Sequence, residues 1–463
     1  MKTSILHNCI EQFKNTFNQE LVQKLAKQTK FIQRPYAGKL DPFIFLLVMT
    51  VELTSSGACA LQSIVEKCTK YGGDLITAQA LSKRLNNTQT LLFFKAMYSE
   101  VLKKHLSTSS GKVLASGFLE PFKNVYIEDS TSCTLNEKNA GTFPGSGGSG
   151  SLAGYKLHTI IEGVSNRIVD IKTTPSAVND QSEVDHVLPF LKKGDLVLRD
   201  LGYFSIPSFK RIKEKGAYFI SRFKGGVYVY DDKGRRIKDL GEYVDKKMRN
   251  TGIDHFHIRI GAKEKFLVRL VAGRVPQHVY DQRIRERRRQ AIKSGRTLSE
   301  SVRRLQKFTF LVTNISEEFL EAEAFYTVYK LRWQVELLFK AFKRGFFIDL
   351  IRSKSPIRVE CFIIAKLIAI LVTHRFFVCV NLFMELRHRR EVSFTKFVRW
   401  FIEHNFLLLL FDPWKVNLNI FMRKSRCLLL CKQKRSRKTT KELIEQKVTY
   451  GTFYPLSHLE VGI

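Results

Sequence analysis

Between residues 124 and 222 the chain carries a succession of short segments that permits few folds. Asn124–Glu128, Tyr155–Ile161, Arg167–Lys172, Leu196–Arg199 and Tyr218–Arg222 are rich in the β-branched and aromatic residues that suit a pleated surface. A helical stretch, Ser182–Lys193, is expected between the third and fourth, and another, Ser205–Lys215, after the fourth. The order β-β-β-α-β-α describes a mixed sheet flanked by helices, an α/β (α+β) core.

The flanking regions read differently. Residues 1–115 form an expected helical N-terminal domain, in which Ile10, Phe13, Phe17, Leu21 and Leu25 recur at helical spacing and Thr77 is placed to cap Ala78–Leu85. The segment Thr77–Asn87 fits part of a helix-turn-helix or an ordinary helical bundle equally well. Residues 116–225 hold the first part of the core, and 226–306 read as an insertion. That insertion opens with strand-like pieces (Val227–Tyr230, His255–Ile260, Phe266–Ala272) and turns strongly basic, with ten Lys/Arg against three acids from Gln277 to Lys307. Residues 307–400 supply the second part of the core, and 401–463 a C-terminal region with a second basic run, Arg423–Lys447. The run Gly145–Gly154 lacks the Gly-Lys-Ser/Thr ending of a phosphate-binding loop, so a flexible connection is expected there, with contact to a nucleic-acid backbone as the other reading.

Charge narrows the partner. Lysine and arginine number 77 against 43 acids, a net charge of +34, which points to a polyanion: DNA or RNA first, an anionic membrane surface second. The most apolar stretch, Cys361–Met384, is interrupted by Lys366, His374 and Arg375. Charges at mid-bilayer cost about 2.5–3.5 kcal/mol each, so a buried core helix and no membrane span are expected. No long apolar signal region is visible from Met1 to Glu11. The eight cysteines include no CxxC pair, and free thiols in a reducing cytoplasm are expected rather than a zinc site.

The segment Tyr326–Arg344 is the most informative. On a helix with Tyr329 at zero, Arg332, Glu336 and Lys343 fall at about 300°, 340° and 320°, with Trp333 and Lys340 beside them. Leu331, Val335, Leu338, Phe339 and Phe342 lie opposite. A solvated face of an ordinary amphipathic helix would look similar. A single glutamate flanked by cations also suits a carboxylate that binds a metal while its neighbours bind phosphate.

Two aspartates join it. Asp129 is in phase with Val125 and Ile127, and Asp200 with Leu196 and Leu198, so each points to the same side as core residues at a strand end. A charge so placed is paired or functional, because a lone buried one is too costly, although either aspartate alone would also serve as a turn or cap residue. Three carboxylates without histidine or cysteine suit Mg²⁺, and two such ions stabilise both attacking and leaving oxygens in phosphodiester displacement.

The spacing Tyr329-x2-Arg332-x3-Glu336-x6-Lys343 resembles the Tyr-Arg-Glu-Lys signature of one large group of bacterial insertion-sequence transposases. Asp129-Ser130-Thr131 resembles the first-aspartate motif of that group and Asp200-Leu201-Gly202-Tyr203 the second, in the same order. Leu201 departs from the pattern, where the group often has a basic residue. The resemblance covers roughly residues 120–375. It implies a DDE transposase with an RNase H-like mixed-sheet core, split by a mostly β insertion between the second aspartate and the glutamate. It assigns Asp129, Asp200 and Glu336 to catalysis through two Mg²⁺ ions (Mn²⁺ substituting), and Tyr329, Arg332 and Lys343 to the DNA end, with Trp333 and Lys340 beside them. Trp333 or Phe308 would receive a flipped base. The implied partners are double-stranded transposon ends and target DNA, bound by a homodimer in the bacterial cytoplasm. An RNase H-like nuclease without strand transfer and a non-catalytic DNA-binding derivative are the rival readings. An RNA-binding protein is disfavoured, since no aromatic RNA-recognition motif is visible.

Overall fold

The computed structural model describes residues 18–33, 40–55, 60–74, 76–107, 117–147, 150–249, 252–388, 390–403, 430–432 and 440–445. Most of the Arg423–Lys447 run, and most of 401–463, lies outside the described residues. At the centre is one sheet built from β1 (Val125–Thr134), β2 (Gly154–Glu162), β3 (Arg167–Pro175), β4 (Leu196–Arg199), β5 (Tyr218–Arg222), β6 (Val229–Tyr230), β7 (Arg236–Ile237), β8 (Ile253–Ile260), β9 (Phe266–Arg274) and β10 (Phe308–Thr313). Its order is β3-β2-β1-β4-β5-β10-β9-β8-β6-β7. Within the first half, β2 runs antiparallel to β1 and β3, while β1, β4 and β5 are mutually parallel. This 3-2-1-4-5 arrangement with β2 reversed is RNase H-like. The strands of the insertion do not form a sheet of their own: β10 pairs with β5, and β9, β8, β6 and β7 extend the same sheet antiparallel.

Alternation along the strands divides the core into two layers. Val125, Ile127, Leu196, Leu198 and Ile220 face one layer together with the helices α1 (Gln19–Gln28), α2 (Pro42–Ser55), α3 (Leu61–Lys70), α4 (Ala78–Leu85) and α5 (Thr88–Ser107). Tyr126, Val197 and Phe219 face the other, under α6 (Ile206–Glu214) and α7 (Leu240–Lys247). The insertion also carries α8 (Gln277–Lys293) and α9 (Glu300–Gln306). The chain then returns to the first layer through α10 (Phe325–Tyr329), α11 (Trp333–Phe346), α12 (Pro356–His388) and α13 (Phe394–Glu403). Thr77 caps α4, its hydroxyl accepting from the Ala80 N–H at 3.1 Å.

Three local expectations are corrected. Strand β1 runs on to Thr134, so Asp129 stands inside the strand rather than at its end. The stretch Ser182–Lys193 is not an α-helix but two 3-10 turns, Asp180–Glu183 and Leu188–Phe190. Pro189 has no N–H to give to residue 185, and the Val184 carbonyl accepts from Arg199 and Ser208 side chains instead of continuing a helix. Tyr326–Arg344 is likewise not one helix, because a 3-10 turn over Lys330–Arg332 separates α10 from α11. The long apolar segment lies in α12, which by length and composition alone would cross a membrane, yet 83% of its most apolar window is buried in the protein. Its buried Lys366 donates to the carbonyls of Phe346 and Leu53.

One charged pair lies at the heart of the sheet. Glu128 and Arg199 are register partners on β1 and β4, both fully buried, with Arg199 Nε donating to Glu128 Oε2 at 2.9 Å. Arg199 also donates to Ser208 Oγ at 2.8 Å and to the Val184 carbonyl. Burial pushes the Glu128 carboxyl up to about 7 even though Arg199 pulls it down. Removing one partner of such a pair leaves an uncompensated charge, at about 3–5 kcal/mol. Arg199→Met is therefore expected to lower unfolding stability by about that amount, and Glu128→Leu added to it to restore part of the loss, as read by urea denaturation.

Candidate active site

The three acids singled out above come from three elements of one layer. Asp129 points from β1 toward the Val125 and Ile127 side. Asp200 follows the last residue of β4 and opens the 3-10 turn Leu201–Tyr203. Glu336 sits in the first turn of α11, whose Val335, Leu338, Phe339, Phe342 and Phe346 are buried and hold the helix against the sheet.

At their common centre lies Arg332. Its side chain is 7% exposed, with Nη1 donating to Asp129 Oδ2 at 2.9 Å and Nη2 to Glu336 Oε1 at 2.7 Å. Its Nε is 4.0 Å from Asp200 Oδ1, too long for a hydrogen bond, and both atoms are buried with no hydrogen-bond partner. Asp129 Oδ1 accepts from the Ser130 N–H at 2.8 Å. Burial pushes the Asp129 carboxyl up to about 7, a shift that Arg332 opposes and Asp200 reinforces. Three carboxylates around one guanidinium leave two negative charges in excess when all are ionised.

This bears on the metal the resemblance implies. Among the described residues no three His, Cys, Asp or Glu side chains stand together as a ready-made cage. The donor set nevertheless fits a hard divalent cation: all oxygen, in charge excess, with the Asp200 oxygen unsatisfied and facing a position that a cation already holds.

The remaining predicted residues are placed as follows. Tyr329 is buried, and its hydroxyl donates to the Arg199 carbonyl at 2.9 Å, which ties α10 to β4. Sequence reasoning put Tyr329 and Arg332 on an open polar face. The 3-10 turn changes their direction, so that both are enclosed. Trp333 is half-buried, its ring 5.7 Å from the Arg332 guanidinium carbon. Lys343 donates to the Ser132 carbonyl at 3.1 Å, and Lys340 is exposed. Phe308 is in the core of β10, 2% exposed, so it does not receive a base. Gly202 has no left-handed backbone; what it provides is room, since a side chain there would begin 3.1 Å from Asp180 Oδ2.

Sequence reasoning missed Lys156 and Asp180 and took Ser130 only as part of the Asp129-Ser130-Thr131 motif; all three adjoin the acids. Ser130 Oγ and Lys156 Nζ both donate to Asp180 Oδ1 at 2.9 Å. Asp180 follows Asn179 in a polar loop, and no periodicity singles it out.

An RNase H-like sheet that converges acids from its first strand, its fourth strand and a later helix defines the class of DDE phosphodiester-processing enzymes. The chain belongs to the family described as Transposase DDE domain, whose model matches residues 120–372. It is 27% identical over 423 residues to the transposase for insertion sequence element IS231F of Bacillus thuringiensis subsp. israelensis, covering 86% of each chain. It is 27% identical over 378 residues to the transposase for IS1151 of Clostridium perfringens, covering 78% of this chain and 79% of that one. A cryo-EM structure of the piggyBac transposase synaptic complex with hairpin DNA aligns over 94% of this chain and 87% of that chain, with a TM-score of 0.44 and 10% identity.

The raised Asp129 carboxyl has a consequence for stability. The folded state holds that proton more tightly than the unfolded chain, where an aspartate titrates near about 4. The contribution is therefore present at low pH and is lost as pH rises from about 4 through about 7. Melting temperatures of the metal-free protein should fall across that window, and Asp129→Asn should flatten the fall.

Proposed function

We propose that this protein is a metal-dependent transposase of an insertion sequence that binds its terminal inverted repeats, cuts the ends and joins the 3′ ends to target DNA. The observation that carries this reading is the convergence of Asp129, Asp200 and Glu336 on one cation position. Asp129, Asp200 and Glu336 would hold a pair of Mg²⁺ ions, with Mn²⁺ as a substitute. When bound there, such ions activate the attacking oxygen and stabilise the leaving one.

The chain's own residues do the rest. The RNase H-like sheet fixes the two aspartates, and the packed face of α11 fixes Glu336. Arg332, on a long flexible stem, turns from the carboxylates toward the scissile phosphate as DNA enters, where a planar guanidinium binds two oxygens at once. Tyr329 anchors the turn from which Arg332 swings. Lys343 and the exposed Lys340 neutralise phosphates at the rim, and Trp333 offers its ring to a displaced base. On α8 the exposed Arg285, Arg287, Arg288 and Arg289 add contacts to the DNA backbone that carry affinity and not sequence. Two ends must be held together, which calls for a homodimer, and the helical N-terminal region supplies the remaining grip on the end. The reaction takes place in the bacterial cytoplasm.

A DNA substrate carrying the element's own ends, incubated with Mg²⁺, tests this. Wild type is expected to cut at the ends and yield joined products, and Glu336→Gln to bind the same DNA with its cutting reduced at least about a thousandfold. Cutting without joined products would favour a nuclease. Binding without cutting by either protein would favour a DNA-binding derivative.

A further inference from the structure

We propose that Asp180, outside the three-acid set, is a positioning residue for cation binding and strand cutting; the inference rests on the reading above. Asp180 stands on the 3-10 turn after β3 and touches both aspartate-bearing segments. Its Oδ1 accepts from Ser130 Oγ at 2.9 Å, and the Ser130 N–H in turn donates to Asp129 Oδ1 at 2.8 Å. Its Oδ2 packs against the turn after Asp200, 3.1 Å from where a side chain at Gly202 would begin. One carboxylate thus spans from the residue that orients Asp129 to the turn that carries Asp200.

Its own position is held from behind. Lys156, on β2, donates to Asp180 Oδ1 at 2.9 Å and to the Val178 carbonyl at 2.9 Å, so charge and loop are fixed together. The buried His158 places Nδ1 4.0 Å from Asp180 Oδ1 and 3.0 Å from the Tyr203 hydroxyl, in the turn that follows Asp200. With Ser130 and Lys156 both on Oδ1, that oxygen is committed to bracing. Partners of this kind orient metal-binding carboxylates, and losing one costs about 10–100-fold in affinity or rate.

The full-length protein tests this with two readouts. Calorimetry measures Mn²⁺ binding, and end cleavage is followed at saturating DNA. Asp180→Ala is expected to weaken Mn²⁺ binding and slow cleavage by about 10–100-fold with an unchanged DNA affinity. Asp180→Asn, which keeps an acceptor for Ser130, should recover most of the loss. Ser130→Ala should match Asp180→Ala, and the double variant should be no worse than either alone, because the two act through one contact. A folded Asp180→Ala with wild-type Mn²⁺ affinity and rate overturns the inference, as does a double variant whose losses multiply. Failure of the functional reading looks different: wild type would not cut, or Glu336→Gln would cut equally well. The Mn²⁺ titration still decides the role of Asp180 in that case.

Discussion

Everything distinctive in this structure depends on the contact between the Arg332 guanidinium and the acids around it. Three carboxylates gathered around one guanidinium repel, and partial burial strengthens that repulsion. Without a cation among them the layer would open or the acids would take up protons; at Asp129 burial, reinforced by Asp200 and Glu336, holds the carboxyl above its ordinary range although Arg332 opposes the shift. The arginine therefore does in the metal-free protein what a divalent ion is proposed to do in the working one. The Arg332 side chain is nearly enclosed among these acids, although it is proposed as a DNA-contacting residue.

The rest of the fold serves to bring the four groups together. Parallel pairing of β1 with β4 sets Asp129 beside the turn of Asp200, and the buried Glu128–Arg199 pair on the opposite face joins those strands one residue earlier. Tyr329 connects α10 to the Arg199 carbonyl, so the second half of the chain is registered against the first across an insertion that extends the sheet. The apolar face of α11 then sets the depth of Glu336.

How legible this was from sequence varied with the physics of each part. The core strands were readable because β-branched runs report a pleated surface, and their order describes a mixed sheet flanked by helices; the RNase H-like form was implied only by the resemblance of the motifs. Asp129 and Asp200 were readable because strand alternation places them on the side of Val125 and Leu198, where a charge demands a reason. Glu336 was readable because helical spacing places it opposite Val335 and Phe342. What periodicity could not convey was local winding and tertiary adjacency. The 3-10 turn at Lys330–Arg332 encloses Tyr329 and Arg332, and Pro189 with the captured Val184 carbonyl replaces the expected helix by two turns. Asp180 meets Ser130 across 50 residues of chain only because β1 pairs with β2 and β2 with β3, a contact that no local pattern encodes.

The most direct test of the central claim replaces Mg²⁺ with Fe²⁺ in the full-length protein bound to its end DNA. Peroxide and ascorbate are then used to cut the polypeptide wherever the iron sits. The account predicts scission beside Asp129, Asp200 and Glu336 together, suppressed by excess Mg²⁺ and lost in Asp129→Asn. Scission elsewhere, or cuts at those segments that survive both Mg²⁺ and the substitution, would contradict it.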